Sequence, residues 1–195
     1  MMILFAAVLA RGAAPAGQTS NPLSKAGQGD WAQYAVSVDN ATIPIMNVND
    51  QPRWRVVTVV QATGVRIDNY SIMPGGRASM GGSLFSFGKP FEPVFEIVNG
   101  TKIEVASSTP ESLTVKGKTA ACTKIVRKVS RPVDATTMQS GWNGTSTVWL
   151  CPDFPVGGVV KIENLYEARR TADSKPEKIK ETWVLTDFGF KNWKE

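Results

Sequence analysis

The sequence predicts a mainly β fold: one curved antiparallel sheet or half-open β-barrel with little helix. Three observations carry this. From Asp30 onward apolar residues recur at every second position, the period of a half-buried strand. The runs between breaks are rich in Val, Ile, Thr and Trp and are separated by Gly, Pro, Asn and Asp clusters. No amphipathic stretch long enough for more than two helical turns occurs.

In order along the chain, "DWAQYAVSV" puts Tyr34, Val36 and Val38 on one strand face. "RWRVVTVVQA" and "GVRIDNYSIM" follow as consecutive antiparallel strands, with a break at Thr63-Gly64. The stretch from Met73 to Phe95 is rich in glycine and proline, which weaken any regular element, and reads as a long loop or lid. Its Phe85, Phe87 and Phe91 argue that it packs onto an apolar surface. Regular pairing resumes with "TKIEVAS" and "ESLTVKGKTAACTKIVRKV", with turn chemistry at Lys116-Gly117-Lys118. The clearest hairpin is last. "GGVVKIENLYEARR" places Val160, Ile162, Tyr166 and Ala168 on one face, interrupted by Asn164, and "KIKETWVLTDF" answers with Ile179, Trp183 and Leu185.

The chain's 195 residues, 42% hydrophobic and 20% charged, fit one globular domain. "MMILFAAVLA" followed by Ala14-Pro15-Ala16 reads as a secretory signal peptide over residues 1–16. Residues 17–29 are then a flexible N-terminal segment and 30–195 a single antiparallel β domain. No apolar run reaches the roughly 20 residues that span a bilayer as a helix. The expected compartment is therefore secreted or periplasmic, with no transmembrane span.

The net charge of +5 is spread along the chain. It does not form the dense basic stripe with interleaved aromatics that nucleic acid requires, so no nucleic-acid partner is expected. The absence of histidine removes Ser-His-Asp and Cys-His catalysis and the usual zinc enzymes. The glycine pairs at Gly75-Gly76, Gly81-Gly82 and Gly157-Gly158 lack the spacing of a phosphate-cradling loop. Asp153 and Glu163 are the carboxylates nearest the Pro152–Gly158 kink, but Glu163 falls on the charged outer face of its strand. No catalytic residue, metal ligand or cofactor is expected, and the protein is read as not an enzyme.

Two cysteines remain. If "TAACTKIVRKV" and "STVWLCP" pair around a turn near Thr136, Cys122 and Cys151 face each other, and an exported protein would bridge them; a turn at Asn143-Gly144 would break that register. Two buried thiols are the other reading. Between Cys151 and the last hairpin, Pro152 and Pro155 cannot donate to a ladder, and Gly157 and Gly158 can take positive φ. The segment is expected to be a structural corner, with Phe154 plugging the core and Asp153 accepting from nearby backbone N–H groups.

Three pieces, "LTVKGKTAACTKI" (113–125), "TVWLCPDFPVGGVVKIE" (147–163) and "WVLTDFG" (183–189), together with the opening "GDWAQY", resemble a group of uncharacterised secreted bacterial proteins. That group carries Val-x-Gly-Lys with a Cys shortly after, then Val-Trp-x-x-Pro-Asp-x-Pro-x-Gly-Gly-x-Val-Lys, and near the end Leu-Thr-x-Phe-Gly. Its members more often have Ser at the position of Cys151, so the resemblance does not imply a disulfide. The strand order also resembles the half-open barrels of periplasmic lipoprotein carriers, a likeness of architecture.

The leading functional expectation is a non-catalytic binding or carrier module for an apolar or lipid-like ligand. Trp54, Trp149, Tyr166 and Trp183 are the candidate cavity residues. A structural or interaction domain of the cell envelope, partnered by an envelope protein, is the alternative, and a secreted hydrolase is the third reading.

Overall fold

The computed structural model describes residues 21–39, 52–73, 75–88, 101–133, 141–169, 171 and 173–194. Among these described residues nine strands form one antiparallel sheet: β1 (Trp31–Asp39), β2 (Pro52–Gln61), β3 (Gly64–Met73), β4 (Gly76–Ser86), β5 (Lys102–Val115), β6 (Lys118–Arg131), β7 (Gly141–Leu150), β8 (Val159–Arg169) and β9 (Glu177–Gly189). Their spatial order is β4-β3-β2-β1-β9-β8-β7-β6-β5. All neighbours but one are consecutive in sequence; β1 against β9 joins the two halves. Among the described residues the sheet is not closed, since β4 and β5 end it without pairing to one another. This agrees with the expected curved sheet or half-barrel, and no α-helix occurs among the described residues.

Curvature is visible in contacts between strands that are not neighbours. β5 and β9 are separated by three strands, yet they touch, and Lys116 Nζ at the tip of the β5–β6 hairpin lies 2.7 Å from Asp187 Oδ1 on β9. The tip turns tightly because Lys116 and Gly117 both adopt positive φ, 49° and 76°, as a two-residue hairpin with native twist requires.

The main core fills one face of the sheet. Tyr34, Val36, Val57, Val65, Ile67, Val148, Ile162 and Leu185 contribute to it, and the alternation read from β1, β8 and β9 places Tyr34, Val36, Val160, Ile162 and Leu185 of those strands here. Its floor is made by irregular chain. The 3₁₀ turn Pro22–Lys25, capped by the Asn21 side chain, inserts Leu23 with no exposed surface, and it touches a second 3₁₀ turn at Val156–Gly158. Residues 21–29, expected within a flexible segment, are thus packed here: Gly29 N–H donates to Val57 O and Val57 N–H to Asp30 O.

One expectation is corrected. The stretch from Met73 to Phe95 is not a lid throughout: Gly76–Ser86 pairs along β3 as edge strand β4. An edge strand has only one side to satisfy and both faces mostly in water, so its glycines cost less there than in a central strand. Gly82 also has a positive reason to be glycine, because a Cβ there would strike the Asp68 carboxylate. Phe85 and Phe87 do pack against the core, whereas Phe91 and the end of the segment lie outside the described residues. The expected signal peptide, residues 1–16, lies outside them too.

Cys122 and Cys151 form a disulfide. Its cause is register: β6 pairs β7 from Thr123↔Leu150 to Arg131↔Trp142, so the cysteines oppose each other one step beyond. Asn143 and Gly144 lie inside β7, paired to Ser130 and Val129, and the turn residue Thr136 lies outside the described residues.

Candidate functional site

The four aromatic residues singled out in the sequence are not brought together. Tyr166 and Trp183 point to the core-bearing face, where Trp183 meets Tyr34 edge-on at 5.9 Å and Tyr166 meets Trp142 at 5.6 Å. Trp54 belongs to a separate cluster on the opposite face with Val56, Tyr70, Trp31 and Trp193. Trp149 sits between core residues Val148 and Leu150 on its strand, so its ring also turns to the other face. There Lys124 and Lys161 lie over it at 5.2 and 4.7 Å and its Nε1 donates to Glu111. Trp54 and Trp149 are therefore removed from any site on the core face.

The corner holds no cluster of reactive groups. Gly157 and Gly158 adopt φ of 76° and 71°, and Cys151 N–H donates to Gly158 O at 2.7 Å, which closes the loop. A Cβ on Gly158 would run into the Cys151 carbonyl. Phe154 is buried, edge-on to Phe188 at 4.9 Å. Asp153 is exposed, and it is its backbone carbonyl, not its carboxylate, that is engaged, by Lys118 Nζ at 2.8 Å. The cap expected of its side chain is not formed among the described residues. Glu163 pairs with Lys161 at 2.6 Å on the outer face, away from Asp153.

What sequence reasoning did not assemble is a polar row on the core-bearing face. Arg127 on β6, Ser146 on β7, Asn164 on β8 and Glu181 on β9 are register partners in succession. Their side chains therefore line up across four neighbouring strands, about 5 Å apart from strand to strand. Arg127 Nη2 donates to Ser146 Oγ at 3.1 Å, Asn164 Nδ2 donates to Glu181 Oε2 at 2.8 Å, and Trp183 Nε1 donates to Glu181 Oε1 at 2.9 Å. Arg127, Ser146 and Asn164 are buried. The row divides the face: Val148, Ile162 and Trp183 lie on the corner side, and Val129, Tyr166 and Ile179 on the other. The one sequence signal for it was Asn164, the polar interruption of an otherwise apolar face.

A second buried guanidinium, Arg55, lies on β2 near Tyr34. Burial pushes Arg55 down from its ordinary range, with Tyr34 opposing. Burial pushes the Tyr34 phenol up to about 12, with Arg55 pulling the other way. The Tyr34 hydroxyl donates to Val159 O at 2.9 Å, tying β1 to the exit of the corner. Among the described residues no group of three or more His, Cys, Asp or Glu could hold a metal ion, and no helix is long and apolar enough to cross a membrane.

No protein-family model matches the chain, and no curated protein does. Among solved structures, a "putative lipoprotein" from Parabacteroides distasonis is similar over 84% of this chain and 96% of its own, at 12% identity and a TM-score of 0.43.

Proposed function

We propose that this chain is an exported, non-catalytic binding module whose core-bearing face seats an apolar or lipid-like ligand in the half-open barrel. The observation that carries the reading is the polar row. Beyond it the same face continues with the half-buried Trp142 and Tyr166 and the buried Val129 and Ile179, which belong to neither apolar cluster. A face that runs from apolar core through a few ordered polar groups to further apolar and aromatic side chains has the make-up of a small-molecule seat. The disulfide supports an oxidising compartment. The lack of histidine and the scatter of Asp153 and Glu163 support a non-catalytic role.

Native mass spectrometry of the full chain, purified from the exported fraction of expressing cells, tests this. A lipid-like adduct that is displaced by added long-chain probes is expected. An adduct-free protein that binds no such probe overturns the reading, and Met1 at the N-terminus of a cytoplasmic product overturns export.

A second reading, an envelope interaction domain, rests on the β4 edge. β4 exposes Met80 and Leu84 and carries a single charge, Arg77, whereas the opposite edge β5 is guarded by Pro110, Lys102, Glu104 and Glu111. Capture of an envelope protein that is lost on charging β4 would favour it.

A further inference from the structure

We propose that Ser146 and Asn164 form the polar recognition point of this face, built for a ligand group that is donor and acceptor at once: a hydroxyl or a primary amide on an apolar chain. The inference rests on the binding reading above and specifies its ligand.

The orientation of Asn164 is fixed chemically. Its amide nitrogen lies 2.8 Å from Glu181 Oε2, and an ionised carboxylate only accepts, so the amide oxygen must turn away from Glu181. That oxygen, Oδ1, is buried and has no hydrogen-bond partner, and Asn164 itself is only 9% exposed. Glu181 cannot swing to relieve it, because its other oxygen is held by Trp183 Nε1 at 2.9 Å.

Ser146 is fixed in the complementary sense. Its Oγ accepts from Arg127 Nη2 at 3.1 Å, and a guanidinium has no acceptor, so the hydroxyl hydrogen is not used in that bond. Ser146 and Asn164 are direct register partners on one face, which sets their Cβ atoms about 5 Å apart. A spare donor and a spare acceptor thus stand side by side, each oriented by a charged group at its back.

The pair discriminates by elimination. A carboxylate or phosphate would set lone pairs against Asn164 Oδ1, and a plain hydrocarbon would leave that acceptor buried and unmet. An ammonium would satisfy Oδ1 but offers nothing to the Ser146 hydroxyl. A hydroxyl, or a primary amide with its syn N–H and C=O on one edge, gives its hydrogen to Oδ1 and its lone pair to Ser146. Trp183 on one side and Tyr166 on the other, both only half-buried, suit an apolar chain attached to that group.

Matched probes test this on the full chain. Dodecanol is paired with dodecyl methyl ether and dodecanamide with N,N-dimethyldodecanamide, each second member carrying methyl in place of the donor hydrogen. Affinities are read from tryptophan fluorescence and native mass spectrometry. The donor-bearing member of each pair should bind about tenfold tighter or more. Asn164→Leu should abolish that preference, because the ether and the tertiary amide then no longer leave a buried acceptor unmet. Ser146→Ala, which removes only the hydroxyl, should weaken all four probes, and it provides the test if Asn164→Leu does not fold. Equal binding within pairs overturns this proposal, as it would if water alone filled the position, but leaves the binding reading standing. A preference that persists in Asn164→Leu, or affinities left unchanged by Ser146→Ala, also overturns it. Binding of no probe overturns the reading beneath it.

Discussion

At the residue scale, the burial of Tyr34 has a measurable consequence. Its phenol should ionise near pH 12, not with an ordinary tyrosine near pH 10, in a titration of phenolate absorbance compared between wild type and Tyr34→Phe. Because the folded pKa is raised, Tyr34 contributes its stability fully below the unfolded value and loses it as the pH rises from about 10 through about 12. Arg55 acts in the opposite sense: its lowered folded pKa means that the charged form is the penalised one, and the penalty is relieved as the pH rises. The spectroscopic titration isolates Tyr34 where a melting curve would mix the two. Replacing Gly158 with valine is the harsher change, since it forces a β-branched residue to φ 71° and drives its Cβ into the Cys151 carbonyl. A loss of about 3 kcal/mol or more in denaturant unfolding is expected. Val156 already tolerates φ 55° in the same turn, where its side chain, 1% exposed, gains burial that offsets the strain. Gly158 has no such space to fill.

At the scale of elements, the pieces that make up the secreted-protein resemblance converge on one end of the molecule. In "GDWAQY", Gly29 takes φ 82°, Asp30 accepts from Gly27 N–H and Lys191 N–H, and Trp31 Nε1 donates to Asn192. In the Val-x-Gly-Lys piece, Val115 enters the core, Gly117 turns the hairpin, and Lys118 lies 5.1 Å over Phe154 while holding the Asp153 carbonyl. In "WVLTDFG", Phe188 stacks edge-on to Phe154, and Gly189 leaves room for the Trp31 ring that a Cβ would strike. These residues fasten the floor of the half-barrel, the end occupied by the 3₁₀ turn and the corner. Asp153→Asn should therefore leave both ligand affinity and melting temperature close to wild type, because the interaction made there is through the backbone. A selective loss of binding would show that the corner is a site. At the open edge, Leu84 is 68% exposed on β4, so Leu84→Lys should reduce concentration-dependent association in size-exclusion chromatography without lowering the unfolding midpoint.

At the scale of the whole molecule, the disulfide and the C-terminal segment determine how firmly the curl is held. The cysteines are 29 positions apart, and linking them restricts the unfolded chain by about 3–4 kcal/mol in the chain-entropy view. Reduction should lower the denaturant midpoint substantially, since that is a large share of a domain's net stability. An unchanged midpoint, or two titratable thiols in the unreduced unfolded protein, would contradict this. On the opposite face, the C-terminal segment lays Trp193 against Tyr70 at 5.4 Å and Trp31 at 5.9 Å, with the Arg77 guanidinium 4.8 Å over its ring. It thereby ties β9, β1, β2, β3 and β4 together from outside.

The sequence by itself determined what depends on near neighbours. The two-residue period placed Tyr34, Val36, Ile162 and Leu185 on one buried face, because alternation across a strand is a property of the backbone alone. The turn at Lys116-Gly117 was legible for the same reason. Glycine content misled at Gly76–Ser86, where the penalty depends on being at a sheet edge, and edge position is not written locally. The site was the least legible part. Trp54 and Trp149 are cavity candidates by residue type alone, yet which face a ring occupies, and which strands curl toward one another, is decided only when the sheet is assembled. Arg127, Ser146, Asn164 and Glu181 lie far apart along the chain, and each alone is an ordinary strand residue. Antiparallel register placed them in one row, and burial then turned a scattered set of polar side chains into an ordered pair of unused hydrogen-bonding groups.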